Sequence, residues 1–259
     1  MILFSKYQGA GNDFVIIDNR KGLIVDDVKV DYAKKLCDRK FGVGSDGLIL
    51  IENSVSADFK MDFLNPDGSR SFCGNGSRCA VKFCTDNNIL NSKKLRFEAI
   101  DGVHFAELIK AEVKIEMKNV NEFTQENGTF FIDTGSPHFI KYENSISELN
   151  VVKEGRKIRY SDTYKDEGTN VNFIEEINDA HIKVRTYERG VEDETLACGT
   201  GVTACALSYA VKHGLKSGVI HINAIGGVLS VGFKLTDSKF NHIWLQGPAE
   251  FVFKGKIHV

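Results

Sequence analysis

Phe72-Cys73-Gly74-Asn75-Gly76-Ser77-Arg78-Cys79-Ala80 and its echo, Ala197-Cys198-Gly199-Thr200-Gly201-Val202-Thr203-Ala204-Cys205-Ala206, decide how this chain folds. Each sets a cysteine beside two glycines, just ahead of an apolar run. The first run, Asn75 to Asn87, carries Cys79, Ala80, Val81, Phe83 and Cys84 and stops at Asn87-Asn88. The second, Gly199 to His213, carries Val202, Ala204, Ala206, Leu207, Ala210 and Val211. It stops before Gly214, a residue that readily takes the left-handed backbone closing a helix. Both runs predict buried helices with a cysteine at the N-terminal end. There the unpaired backbone N–H groups and the helix dipole favour negative charge. Such a position lowers a thiol pKa from its usual value of about 8.5 and makes the sulfur a usable base or nucleophile. One cysteine of this kind is more often a small buried hydrophobe. Recurrence of the whole pattern favours chemistry.

Outward from these stretches the two halves of the chain match. Gly11 to Gly44 spans 33 residues, as does Gly135 to Gly168. Gly44 to Cys73 spans 29 and Gly168 to Cys198 spans 30. Beyond the helices, Ala99-Ile100-Asp101-Gly102-Val103 is echoed by Ala224-Ile225-Gly226-Gly227-Val228 at the 125-residue offset of the cysteines. An internal duplication follows, too long and too few in copies for a solenoid. The expected fold is α/β (α+β), with two pseudo-symmetric half-domains, each wrapping β-strands around one central apolar helix. Residues 119–128 are polar, which sets the expected boundary between a half-domain 1–118 and a half-domain 119–247.

Within the first half, strands are expected on either side of the turn Gln8–Asp13, then a helix capped by Asp26 or Asp27. Val30, Ala33, Leu36 and Cys37 would share its inner face, and it would end near Phe41-Gly42. The following Gly42-Val43-Gly44-Ser45-Asp46-Gly47 is formally a G-x-G-x-x-G. A dinucleotide fingerprint must follow a strand and open a helix, whereas here a helix precedes and the strand-like Leu48–Glu52 follows. No nucleotide site is expected. Strands are predicted over Phe59–Leu64, Leu95–Ala99, Phe130–Asp133, Phe173–Ile177 and His181–Tyr187, with a helix near Val151–Arg159.

At 259 residues with 42% hydrophobic and 26% charged side chains, the composition is that of a soluble globular protein. A net charge of −2 gives no reason to expect nucleic acid or an anionic membrane as partner. Met1 to Phe14 lacks the apolar core and cleavage site of a signal peptide, and no apolar run reaches the roughly 18 residues of a membrane span. Six cysteines without a secretory signal read as reduced thiols of a cytoplasmic protein. Cys73, Cys79 and Cys84 lack C-x-x-C spacing, so no metal site is expected.

Duplicated domains packed about a pseudo-two-fold axis bring equivalent points together, so Cys73 and Cys198 would flank one cleft. A base on one face of a carbon and an acid on the other is what inversion of a stereocentre needs. One thiolate removes the proton while the opposite thiol supplies one from behind. The two helix ends would offer N–H groups to a carboxylate on that carbon.

These residues resemble the diaminopimelate epimerase family over nearly the whole chain. Phe4-Ser5-Lys6-Tyr7-Gln8-Gly9-Ala10-Gly11-Asn12-Asp13-Phe14 is similar to its opening motif. Cys37-Asp38-Arg39 with Phe41–Gly47 is similar to its second, and Phe63–Ser69 leading to Cys73-Gly74-Asn75-Gly76 to its first catalytic block. Gly168–Phe173, Tyr187-Glu188-Arg189-Gly190 and Ala197–Gly201 complete the set. The resemblance implies a cofactor-independent conversion of LL- to meso-diaminopimelate for lysine and peptidoglycan synthesis. It implies Cys73 and Cys198 as the acid/base pair, and Gly74, Asn75, Gly199 and Thr200 as binders of the reacting carboxylate through backbone N–H groups. Asn12, Asn65, Asn170 and Arg189 would hold the rest of the substrate, with Arg189 on the distal carboxylate. Glu188 would accept from a substrate ammonium, with His138 close by as a supporting residue. The resemblance further implies a homodimer and a last segment, 248–259, that returns to the first half-domain.

Two positions depart from the family pattern: Ser136 stands where many members have asparagine, and Gly47 where some have glutamine. Three rivals remain open at this point. Proline and hydroxyproline racemases also use two cysteines but have no use for a distal-carboxylate arginine. The phenazine-pathway isomerase lacks the cysteine pair. A redox or binding module would instead close a reversible disulfide between the two thiols. A pyridoxal enzyme is disfavoured, because no lysine in the matched motifs holds a catalytic place.

Overall fold

A computed structural model describes residues 1–258 of the chain. In order, the elements are β1 (Ile2–Gly9), β2 (Asn12–Asp18), α1 (Asp26–Cys37), β3 (Gly47–Glu52), β4 (Phe59–Leu64), α2 (Gly74–Asp86), β5 (Lys94–Ala99), β6 (Gly102–Ile109) and β7 (Glu112–Glu116). Then follow β8 (Phe123–Glu126), β9 (Thr129–Asp133), β10 (Pro137–Tyr142), α3 (Val151–Arg159), β11 (Asn170–Asn178), β12 (His181–Glu188), β13 (Asp193–Thr195) and α4 (Gly199–Lys212). The chain closes with β14 (Ser217–Ala224), β15 (Gly227–Thr236), β16 (Lys239–Pro248) and β17 (Glu250–Ile257). It divides into two compact units: Met1–Ile115 together with the closing segment from Gly247, and Glu116–Gln246.

In the first unit β17 pairs antiparallel with β1, β1 antiparallel with β2, β2 parallel with β3, and β3 antiparallel with β4. β4 then pairs parallel with β5, β5 antiparallel with β6, and β6 antiparallel with β7. The second unit repeats that succession step for step through β8, β9, β10, β11, β12, β14, β15 and β16. The closing strand β17 therefore stands in the first unit where β8 stands in the second. Each unit joins its first parallel pair by a short helix, α1 or α3, as a parallel pair requires.

The central helices are buried on almost every side. α2 packs against β1, β2, β3, β4, β6 and β17, and α4 against β9, β10, β11, β12, β14 and β15. Cys79, Ala80, Val81 and Cys84 of α2, and Ala204, Cys205, Ala206, Leu207 and Ala210 of α4, are wholly enclosed. The strands supply the enclosure, and in α2 it takes in the polar Asn75, Ser77 and Arg78 as well. A second apolar layer lies under each short helix: Val15, Ile17, Leu48 and Leu50 with Ala33 and Leu36 in one unit, Val171, Phe173 and Tyr187 with Val151 in the other. No helix among the described residues is long and apolar enough to cross a membrane.

α1 corrects the pattern read from sequence in three ways. Its N-cap is Val25, without a side-chain bond, and Asp26 and Asp27 lie in the first turn. There Asp26 pairs with Lys29 at 2.6 Å instead of capping. Lys29 is buried while Val30 is only partly so, because the ammonium also meets Glu52 at 2.7 Å and Asp62 at 2.9 Å. The helix stops at Cys37, short of Phe41, since the Asp38 carboxylate accepts the N–H groups of Lys40 and Phe41 at 2.7 Å each and turns the chain. The polar stretch 119–128 contains a strand, β8. Phe123 lies against Phe240, ring centroids 5.8 Å apart and tilted by 51°, and β8 pairs antiparallel with β9.

Candidate active site

Cys73 is the N-cap of α2, in extended backbone, and its sulfur accepts the Gly76 N–H at 3.3 Å. Its carbonyl takes the Ser77 N–H and hydroxyl, each at 2.8 Å, which fixes the residue to the helix end. The Asn12 Oδ1 lies 3.8 Å from the sulfur and 3.3 Å from Asn75 Nδ2. Asn12 is held this way round because its Nδ2 donates to Asp46 at 2.6 Å. Asp46 in turn pairs with Arg39 at 2.7 Å, and Arg39 with Asp13 at the same distance. Lys6 completes the set on Asp13 at 2.6 Å. Burial would raise the Asp13 carboxyl, but its bonds to Arg39 and Lys6 outweigh that and hold it at about 2.

Gly74 and Asn75 form the buried first turn of α2. Asn65 does not join this cluster. Its amide closes its own loop, donating to the Ser69 carbonyl at 3.2 Å and to the Ser69 and Ser71 hydroxyls at 3.1 and 3.2 Å. A side chain at Gly47 would overlap the ring of Phe63, so the amide that some members carry there has no room in this chain.

Cys198 is the N-cap of α4, again in extended backbone, and is 8% exposed. Its sulfur lies 3.4 Å from the Thr200 hydroxyl. The Val202 N–H reaches its carbonyl at 2.9 Å, and Thr134 donates to the Thr200 carbonyl at 2.9 Å. His138 and Asn172, both fully buried, sit against this turn. A Cβ at Gly201 would meet Asn172 Oδ1 at 2.6 Å, Cys198 Cβ at 3.2 Å and His138 Cε1 at 3.3 Å. Asn172 Nδ2 faces His138 Nδ1 at 3.1 Å, and its Oδ1 accepts from Thr186 at 2.9 Å. This network assigns the acceptor role to Nδ1 and the proton to Nε2, which is buried without a hydrogen-bond partner. Burial, then the charge of Arg189, lowers the His138 pKa to about 3, so the ring is neutral.

Asn170 ties two loops together. Its Oδ1 accepts the Arg189 N–H at 2.9 Å, and its Nδ2 donates to the Ser136 hydroxyl at 2.8 Å and the Pro137 carbonyl at 2.9 Å. Arg189 is exposed and bonds the Glu167 carbonyl at 2.8 Å. Glu188 accepts from Thr195 at 2.8 Å. Asn172 and Thr186 were not singled out in the sequence. Asn172 lies two residues from Asn170 on one strand face, the one signal that could have found it.

The other four cysteines, Cys37, Cys79, Cys84 and Cys205, are free and buried. Burial pushes each of these thiols up, away from ionisation. They are the small hydrophobes that most buried cysteines are.

The family model for diaminopimelate epimerase matches the chain over residues 4–123 and again over 130–252. A diaminopimelate epimerase from Flavobacterium psychrophilum is 47% identical over 254 residues, covering 97% of this chain and 98% of its own. One from Aquifex aeolicus is 40% identical over 274 residues, covering 98% and 97%. Among solved structures, a phenazine biosynthesis protein of the PhzF family from Bacillus anthracis superposes with a TM-score of 0.80 at 15% identity, covering 100% of this chain and 99% of its own. A hydroxyproline epimerase from Agrobacterium vitis does so at 0.75 and 14%, covering 99% and 90%. Fold and relatives together define an isomerase of the epimerase class. The chain belongs to the diaminopimelate epimerase family.

Proposed function

We propose that this epimerase converts LL- to meso-diaminopimelate with Cys73 and Cys198 as its acid/base pair and without a cofactor, in the synthesis of lysine and peptidoglycan. The observation that carries the assignment is that each cysteine caps the central helix of its own unit, at the same point of the same strand succession. One thiolate takes the α-proton, the electron pair moves onto the adjoining carboxylate, and the other thiol protonates the opposite face. The charge developing on that carboxylate meets the N–H groups of Gly74 and Asn75 and of Gly199 and Thr200. Each acid/base group contributes about 10²–10⁴-fold, so orientation and exclusion of water supply much of the remainder.

Asn12, Asn65 and Asn170 hold the body of the substrate, and the Arg189 guanidinium presents a planar fork to the distal carboxylate. Glu188 accepts from an ammonium group. His138, neutral and beside the Cys198 turn, supports from behind. Ser136, tied to Asn170, takes part in the distal end where a longer amide stands in other members. The same reading has the enzyme act on a small dissolved amino acid in the cytoplasm, as a homodimer, and not on nucleic acid or membrane.

The test offers LL-diaminopimelate and L-proline separately in D₂O and follows deuterium at the α-carbon. Incorporation is expected with diaminopimelate alone. Incorporation with proline alone overturns the substrate, and retained epimerisation in a Cys73→Ala, Cys198→Ala double variant overturns the mechanism.

A further inference from the structure

Arg78 lies in α2, five residues beyond Cys73, and is 0% exposed. Its side chain runs back toward the N-terminal end of the helix, as helical side chains tend to. There Nη2 donates to Asn75 Oδ1 at 2.9 Å, and Nε donates to the Pro248 carbonyl at 3.2 Å. Nη1 is buried without a hydrogen-bond partner, and the two nitrogens that are bonded reach a carbonyl and an amide oxygen, not a carboxylate. Gly9 of β1 lets it lie close: a Cβ there would meet Asn75 O and Cys79 Sγ at 3.2 Å and Arg78 Nη2 at 3.4 Å. A desolvated arginine normally sits on a carboxylate, so its enclosure here without one calls for another source of negative charge.

The groups around it narrow the choice. Burial weakens the guanidinium's hold on its proton, and the groups acting the other way are the thiols of Cys79 and Cys73 and the carboxylate of Glu112 on β7. Cys79 is itself wholly buried and pushed well above the ordinary thiol range. Tyr7, on β1, is likewise held neutral by burial and by Asp86, to which it donates at 2.9 Å. From β1, β2 and the neighbouring loops, Lys6 and Arg39 are matched by Asp13 and Asp46. Cys73 is the half-buried thiol of the set, linked to Arg78 through Asn75 and Asn12. At the equivalent place in α4 stands Thr203, neutral, with its hydroxyl bonded to the Gly199 carbonyl at 2.8 Å.

We infer that Arg78 is a positioning residue that holds negative charge on Cys73. Its relevance to turnover rests on the acid/base role proposed for Cys73, but the effect on the thiol does not. A buried cation close behind the cysteine favours thiolate over thiol, and the low local dielectric enlarges the effect.

The experiment follows iodoacetamide alkylation of each cysteine against pH by peptide mass spectrometry, in the unaltered protein and in Arg78→Gln and Arg78→Lys. Arg78→Gln is expected to move the Cys73 profile up by about one pH unit, a roughly tenfold slower reaction near neutrality. Arg78→Lys, which keeps the charge, stays near the unaltered profile, and the Cys198 profile moves in neither. A folded Arg78→Gln protein whose Cys73 profile is unmoved, or whose two cysteines move together, overturns the inference. The unaltered protein gives a second test that no folding failure can obscure. Between roughly 0.05 and 1 M sodium chloride a buried charge is not screened, so the Cys73 profile holds still. An upward move with salt puts the stabilising charge on exposed Arg39 and also overturns it. Alkylation reads the thiol whether or not it is catalytic, and proton exchange in Cys73→Ala reads catalysis whether or not Arg78 matters. Either can fail alone.

Discussion

Under the first turn of α2, the side chains other than the capping cysteine that come nearest Gly76 are Ile49 and Phe14; under the first turn of α4, those nearest Gly201 are Asn172 and His138. The strand registers match these positions. Phe14 opposes Gly47 across the first parallel pair of one unit, and His138 opposes Asn170 across that of the other, with Ile49 and Asn172 each two residues further on. Duplication kept the backbone and exchanged an apolar support for a polar one. An apolar pair asks only for volume, whereas a buried amide and imidazole must find partners. Asn172 does so through His138, Thr186 and the Phe139 carbonyl. One buried position runs the other way, with Arg78 in the first unit against Thr203 in the second. Two halves of one plan thus give their cysteines different surroundings.

The largest effect that can break this comparison is on the reaction itself. Cys73→Ala and Cys198→Ala are each expected to lower kcat/KM for diaminopimelate by at least about 10³-fold, with the double variant little worse than either single one. Should one of them keep a tenth or so of the activity, the two ends are not partners in one proton transfer.

A smaller effect sharpens the packing contrast. Gly201→Ala pushes a methyl against Asn172 Oδ1, Cys198 Cβ and the His138 ring, where no atom can swing away without breaking a buried bond. We expect a loss of about 2–3 kcal/mol in urea unfolding, against less than about 1 kcal/mol for Gly76→Ala, whose neighbours are methyl and ring carbons at 3.3 and 3.4 Å. Equal costs would mean that the polar support is as pliable as the apolar one.

The smallest effect, taken per pH unit, is on acid stability. The folded His138 pKa, at about 3, lies below the value near 6.5 of an unfolded chain, so between them the unfolded state alone takes up the proton. The contribution is fully present above about pH 6.5 and is lost as pH falls toward 3, at up to about 1.4 kcal/mol per pH unit. His138→Phe, which copies Phe14, removes that part of the slope in denaturation measured from pH 7.5 downward. An unchanged slope would assign the acid sensitivity elsewhere.

The sites of strongest periodicity were legible before any coordinates. The runs after Cys73 and Cys198 form helices within one residue of the expected ends, and Val151–Arg159 is helical as predicted. Their apolar residues recur with the period of a helix, and glycine beside the cysteine marks each start. α1 was legible only in part, because a buried lysine breaks the apolar pattern. Lys29 is inside on account of Asp62 and Glu52, both more than twenty residues away, and no local rule contains them. Asn172, Thr186 and Arg78 escaped for the same reason: what distinguishes each is the neighbour it meets across a strand or down a helix.

From the chain alone came the duplication, the two cysteine-capped helices and the family, since repeats, turn glycines and apolar periods are written in local order. The tertiary structure alone decided which polar groups are enclosed and what each of them touches. Burial turns a histidine neutral and weakens an arginine's hold on its proton, and burial is a property of neighbours remote in sequence.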